Sequence, residues 1–214
     1  MSYTKKLAAL VAISAFALAG CSSQDADDRS ETAAGEVSET PAAEPVEEPA
    51  EEPSAATEED PAPEEASGDR LSGSDYDFAV PDGWGEAGAA PGFDSDVLIA
   101  DLDDQDGFAD NMNVILVPLD ADYSVTQVEE SSVGELEAVG ATGITVQDRV
   151  SIDGLEAAHI SAELTVGEAS YVTEQFLLVK DATSHVITFS FSPTVGEGDR
   201  AALTDAVLAS WAWQ

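Results

Sequence analysis

Alternation of apolar and polar residues marks out strands over most of the second half of the chain. Tyr76-Asp77-Phe78-Ala79-Val80 alternates and stops at Pro81-Asp82-Gly83, a turn sequence. Val97 to Leu102 and Met112 to Leu119 are apolar runs rich in β-branched residues, joined by a charged loop from Asp103 to Asp110. Then the period changes. Ser124 and Gln127 have capping-box spacing, Val125, Val128, Leu136 and Val139 fall on one helical face, and Gly140 is placed to end the helix. Its many Val and Ser residues are poor helix formers, so packing must hold it. Thr145 to Ile152 reads as one strand reaching Asp153-Gly154, a strong hairpin signal. Leu155 to Val166 alternates cleanly, with Ala158, Ile160, Ala162 and Leu164 facing one way and His159, Ser161 and Glu163 the other. Gly167 turns the chain into Ser170 to Lys180, and His185 to Ser192 sets Ile187, Phe189 and Phe191 on one face. A second helix from Asp199 carries Leu203, Val207 and Trp211, with Trp213 almost at the terminus, where a frayed end would expose it.

Three strands, a helix, four strands and a helix predict an α+β domain. Consecutive hairpins imply a largely antiparallel sheet of about seven strands, whose apolar face or faces the two helices cover. Its start is placed near Leu71, because residues 71–214 hold all three tryptophans and six of the seven phenylalanines. That length supports one core and not comfortably two.

The front of the chain follows other rules. Lys5 and Lys6 precede an uncharged, mostly apolar run from Leu7 to Ala19. The run is too short to span a hydrocarbon core, which needs about 20 residues, and reads as a secretory signal. It ends Leu18-Ala19-Gly20-Cys21, which resembles the lipobox of bacterial lipoproteins. The resemblance implies that Leu18, Ala19 and Gly20 admit the signal peptidase and that the Cys21 thiol receives a diacylglycerol. Residues 1–20 would then be a removable signal peptide, and the protein would be tethered to the outer face of the cell membrane through diacylglyceryl-Cys21. An ordinary signal peptide beside a stray cysteine is the alternative.

Residues 22–70 carry 17 Asp/Glu, 2 Arg and 6 Pro, and no aromatic residue. Such a segment buries too little apolar surface to offset its ordering entropy, so 21–70 is expected to be the lipidated cysteine plus a disordered linker. Pro/Glu repeats such as Glu47-Glu48-Pro49-Ala50-Glu51-Glu52-Pro53 favour extended conformers. The segment reads first as a solvated stalk and second as an acidic ligand for a basic partner.

Charge narrows the partners. The chain has 44 acidic residues against 7 Lys/Arg, a net charge of −37, which argues against nucleic acid. A single cysteine excludes an intramolecular disulfide and any multi-cysteine zinc site. Residues 71–214 hold 27 acids against Arg149, Lys180 and Arg200, a charge of −24. That field attracts basic proteins or cations. Adaptation to a salty habitat accounts for it equally well.

Tyr76-x-Phe78 followed by Pro81-x-Gly83-Trp84 resembles the start of the PsbP-like fold. Asn111-x-Asn113-Val114 opening a strand, the Asp153-Gly154 hairpin and the Trp-bearing end continue the match. Actinobacterial lipoproteins of the LpqN type look most alike, since they join a lipobox, a low-complexity spacer and this domain. The resemblance implies an α/β/α sandwich around an antiparallel sheet. It does not imply catalysis, because the superfamily's photosystem subunits and nuclear-transport factor are adaptors.

Candidate chemistry is sparse. Gly83-Trp84-Gly85-Glu86-Ala87-Gly88 spells G-x-G-x-x-G, but Ala89-Ala90-Pro91-Gly92 breaks the helix a dinucleotide site needs, so a flexible turn and no cofactor are expected. Asp101, Asp103, Asp104 and Asp106, with Asp110, crowd around Gly107; they fail the EF-hand register but leave a looser Ca²⁺ site as a weak candidate. His159 and His185 are the only imidazoles, and both read as surface histidines. Trp84 and Trp211 read as core anchors. The expected function is a non-enzymatic binding or scaffolding module of the cell envelope, whose partner is another envelope protein or an apolar ligand held between sheet and helix. The rivals are an envelope hydrolase using His159 or His185 and a Ca²⁺-dependent structural module at Asp101–Asp110.

Overall fold

Capping and turn chemistry act where the pattern places them. In the computed structural model, which describes residues 63–88, 94–167 and 169–214, helix α1 spans Val125–Ala138. The Ser124 side chain caps Gln127 N while the Gln127 side chain returns to Ser124 N, the complete capping box. Gly140 closes the helix with φ +82°. Asp153 and Gly154 both take positive φ, as a two-residue hairpin of the primed type requires.

Among the described residues eleven strands form. They are β1 (Arg70–Ser72), β2 (Tyr76–Ala79), β3 (Trp84–Glu86), β4 (Val97–Asp101), β5 (Asn111–Pro118), β6 (Thr142–Val146), β7 (Val150–Ile152), β8 (Leu155–Val166), β9 (Ala169–Lys180), β10 (Thr183–Phe191) and β11 (Ala212–Trp213). The second helix, α2, spans Glu197–Ala209. The main sheet runs β3-β4-β5-β10-β9-β8-β6, with β7 also paired to β8, and its pairings are antiparallel. A second, three-stranded sheet runs β1-β2-β11.

Alternation along the long strands builds two apolar layers. Phe176, Leu178, Ile187, Phe189 and Phe191 pack with Tyr76 and Phe78 of the small sheet and Val207 and Leu208 of α2. Leu177, Val186, Ile160, Ala162 and Leu164 pack on the opposite face with Val128 and Leu136 of α1. The helices therefore lie on opposite sides of one sheet, and the fold is α+β with an α/β/α layering.

Several details depart from the pattern. The single strand expected over Thr145–Ile152 is two, β6 starting earlier at Thr142 and β7 following, because Gln147-Asp148-Arg149 interrupts it and Arg149 turns to Glu129 and Glu156. The domain begins before Leu71. Ala66 N donates to Ala206 O (2.9 Å), and Arg70 bonds Asp77 and the Ser210 carbonyl. Trp84–Glu86 forms an edge strand rather than a flexible turn. Helix α2 stops before Trp211, whose ring instead stacks on Tyr76 (4.5 Å) and Phe78 (5.2 Å). Trp213 is not frayed: it pairs with Tyr76 in β11, and its indole donates to Ile152 O (3.2 Å).

The β9–β10 hairpin turns on Asp181 and Ala182, both at positive φ (49° and 56°). Neither is glycine, and a left-handed alanine costs about 1–2 kcal/mol. Ala182→Gly removes that strain and loses part of the gain to the freer unfolded chain. Urea unfolding is expected to show a net stabilisation of about 0.5–1 kcal/mol.

Candidate functional site

Strand β4 is apolar on both faces. Val97 and Ile99 enter the core beneath the small sheet, while Leu98 and Ala100 point to the other side. Helix α1 packs on β6, β8 and β9, so it does not cover that end of the sheet. The Asp101–Asp110 loop folds back instead. Asp101 N donates to Asp110 O (2.8 Å), and the loop buries Phe108 against Tyr171 with ring centroids 5.2 Å apart. Between loop and strand lies a cavity of about 540 Å³. Its walls are mostly apolar, from Leu98, Ala100, Leu102, Phe108 and Ala109, and Asp101, Asp104 and Asn111 also line it. Leu102 is 64% exposed and lies over Gly85, where an added Cβ would come within 2.8 Å of it.

The loop aspartates close turns. Asp101 Oδ1 accepts from Asp103 N (2.9 Å), Asp104 Oδ1 from Asp106 N (3.0 Å) and Asp106 Oδ1 from Phe108 N (3.0 Å). Among the described residues no three His, Cys, Asp or Glu side chains gather as a metal-binding group. Asp110 is buried, and its Oδ1 accepts from Ser192 N (2.7 Å). Burial raises its pKa to about 6, with the charges of Asp104, Asp106 and Asp101 adding to the shift against the Ser192 hydrogen bond.

The histidines are not surface groups. His185 is 1% exposed, its Nε2 is 3.0 Å from Asp75 Oδ1, and Tyr76 and Trp213 present their rings to it edge to face. Lys180 donates to the other Asp75 oxygen (2.8 Å), which ties the β9–β10 hairpin to the start of β2. His159 is half-buried on the α2 side of β8, stacked on Phe176, with Nε2 3.0 Å from Glu174 Oε2. Ser161 Oγ donates to that same oxygen (2.6 Å), and Arg200 Nε faces Oε1 (3.3 Å). Burial works to raise the Glu174 pKa, yet hydrogen bonds from His159, Ser161 and Arg200 hold the carboxyl below its usual range.

That wiring is wrong for acyl transfer. A serine nucleophile hands its proton to an imidazole that a carboxylate orients. Here the carboxylate stands in the middle, and its lowered pKa makes it a weak base. The cluster instead joins β8, β9 and α2.

Sequence reasoning found the loop and both histidines but missed the partners Glu174 and Arg200 and the groove beside Leu98 and Ala100. One signal was present: a strand apolar on both faces needs two covers, and Val97–Leu102 is such a strand. Cys21 and its recognition residues Leu18, Ala19 and Gly20 lie outside the described residues, as does the spacer up to residue 62. Among the described residues no helix is long and apolar enough to cross a membrane.

No protein-family model matches this chain, and no curated protein does. Solved structures do. Cyanobacterial PsbP from Synechocystis sp. PCC 6803 aligns with a TM-score of 0.47 and 19% identity, covering 76% of this chain and 99% of that one. LpqN, described as involved in cell envelope biogenesis of Mycobacterium tuberculosis, aligns with a TM-score of 0.44 and 14% identity over 65% of this chain and 83% of its own. A protein from Bacteroides thetaiotaomicron VPI-5482 gives a TM-score of 0.44 and 14% identity over 65% of this chain, which spans 45% of that protein's length. The chain is similar in fold to PsbP and LpqN. Both are of the kinds named by the sequence resemblance. Likeness at this level concerns architecture, and function has to be argued from the site.

Asp110 sets a pH dependence of unusual sign. Its carboxyl titrates near 3.8 when unfolded and about 6 when folded, so its stabilising effect is complete below 3.8 and disappears as pH rises through 6. At pH 7 the ionised group destabilises the fold by about 2 kcal/mol after allowance for screening. Asp110→Asn keeps an oxygen for Ser192 N and carries no charge. Denaturation between pH 4 and 8 is expected to show the variant more stable at pH 7, with the advantage vanishing near pH 4. Parallel curves for the two proteins would overturn this assignment.

Proposed function

We propose that the protein is a lipoprotein tethered to the outer face of the cell membrane by diacylglyceryl-Cys21, with the folded domain acting as a non-enzymatic binding module. The groove between β4 and the Asp101–Asp110 loop carries this reading. Its volume of about 540 Å³ falls in the range of small-molecule sites, roughly 300–1,000 Å³, and apolar walls with a few polar groups are the usual make-up of such sites. The occupant is an apolar ligand or an apolar side chain of another envelope protein, and the negative field of the domain disfavours nucleic acid. The Ser161–Glu174–His159 order supports a binding role over hydrolysis, since no imidazole activates the hydroxyl.

The lipobox-like Leu18-Ala19-Gly20-Cys21 supports the tether, and the acidic spacer gives it reach. Two acyl chains suffice for stable attachment, each buried methylene contributing about 0.8 kcal/mol.

Two experiments address the two halves. Cys21→Ser is expected to move the protein from the membrane to the soluble fraction, with loss of the acylated N-terminal peptide by mass spectrometry. Retention of the variant in the membrane would sink the tether. A photo-crosslinking residue at Leu102 is expected to capture a specific adduct in intact cells that the same residue at exposed Val146 does not. Equal labelling at both positions would count against the groove.

A further inference from the structure

Resting on the groove reading, we infer that the ligand is an amphipathic cation, with an apolar body seated on Leu98, Ala100 and Phe108 and a single ammonium or guanidinium head at Asp101 and Asp104. The charged groups of the groove are both carboxylates, Asp101 and Asp104, and the amides of Gln105 and Asn111 also line it. Asp101 and Asp104 each carry a carboxylate there; one oxygen of Asp101 accepts from the loop's own backbone, and both of Asp104 do, Oδ1 from Asp106 N (3.0 Å) and Oδ2 from Asp110 N (3.4 Å). Asn111 lines the same cavity and is 1% exposed. Its Nδ2 donates to Ala109 O (2.9 Å), and its Oδ1 is buried with no hydrogen-bond partner. A buried acceptor left unpaired costs about 1–3 kcal/mol, which a ligand donor offsets once the Asn111 side chain turns its oxygen to the groove.

Among the described residues no cation answers these groups. Among the described residues the Lys and Arg side chains are all engaged elsewhere: Arg70 with Asp77, Arg149 with Glu129 and Glu156, Lys180 with Asp75 and Asp181, and Arg200 with Glu174. A fatty acid or other anion would set like charges together at the rim. A bare divalent cation meets no convergent set of carboxylates. A cationic head on an apolar body satisfies both the walls and the rim, and the surrounding negative field raises its local concentration.

The test uses the full chain carrying Cys21→Ser, which needs no detergent to compete for the groove. Calorimetric titration compares octylammonium with neutral octyl glucoside, with octanoate and with tetramethylammonium. Octylammonium is expected to bind at least tenfold more tightly than any of the other three. Asp101→Asn with Asp104→Asn keeps an oxygen for Asp103 N and for Asp106 N, gives up only the longer Asp104 contact to Asp110 N (3.4 Å), and is expected to reduce the preference over octyl glucoside below threefold. Ala100→Phe, or Leu98→Trp should that variant fail to fold, is expected to abolish binding by filling the groove. Equal binding of octylammonium and octyl glucoside overturns the cation inference and leaves the binding module intact. Failure of all three eight-carbon probes overturns the groove reading itself. Octylammonium binding that survives the groove-filling variants assigns the affinity to the general field and overturns the site.

Discussion

The stack of Trp211 on Tyr76 and Phe78 is the contact on which the second layer depends. A two- or three-stranded sheet is marginal alone in water, and β1-β2-β11 is short even by that standard. It persists because both aromatic side chains of β2 are buried to 0% exposure and lie nearly parallel to an indole from beyond α2. Stacked pairs of this kind contribute about 0.5–1.5 kcal/mol beyond the area they bury. Ser210 then joins strand and helix end, accepting from Ala79 N (2.9 Å) and donating to Val207 O (2.7 Å). The two ends of the domain are thus closed over one core. Gly73 is part of the arrangement: a Cβ there would lie 2.2 Å from the Tyr76 ring, so the chain crosses that ring only as glycine.

Scarcity of cations shapes the remaining ties. Each Lys and Arg of the described residues joins elements that hydrophobic packing alone would leave free to slide. Arg149 links α1 to the β7–β8 hairpin, Arg200 links α2 to β9, and Lys180 links the β9–β10 hairpin to the approach to β2. Exposed pairs of this kind contribute little, about 0–1 kcal/mol each, but they act against a background of strong self-repulsion. A domain so acidic has no cation to spare for the Asp101–Asp110 loop. That loop holds its shape by backbone turns on its own carboxylates, and Asp110 bears the electrostatic consequence.

Local signals were legible where they act locally. The capping box at Ser124, the Asp153-Gly154 turn and the faces of Leu155–Val166 depend on neighbours within a few residues, and each is found as read. What stayed hidden depends on contacts far apart in the chain. His159, Ser161 and Glu163 looked like a solvent face, yet α2 covers part of it, and Glu174 is brought to His159 by the register of β8 against β9. His185 opens a strand next to a charged turn, which reads as exposure, but Asp75 and Trp213 arrive from 110 residues upstream and from the chain terminus to bury it. The break between β6 and β7 follows from Arg149 leaving the sheet for Glu129 on α1. The Asp181-Ala182 turn lacks the glycine that announces such turns, so its left-handed backbone is set by the strands it joins.

The groove follows from one mismatch between layers. Strand β4 demands cover on both faces, and at that end the small sheet covers only one of them, because α1 is anchored over β6, β8 and β9. A loop that must serve as the missing cover has to bury apolar groups, and this one commits only Phe108 fully, stacked on Tyr171. Asp101, Asp104 and Asp106 turn the backbone tightly and keep contact with water, while Asp110 is buried, so the loop is held over Leu98 and Ala100 without filling the space beneath. A second helix in that place would have sealed the face. An acidic loop leaves a cavity with apolar walls and acceptors at its rim, and this pairing of cover and charge links the protein's extreme composition to a specific place in its fold.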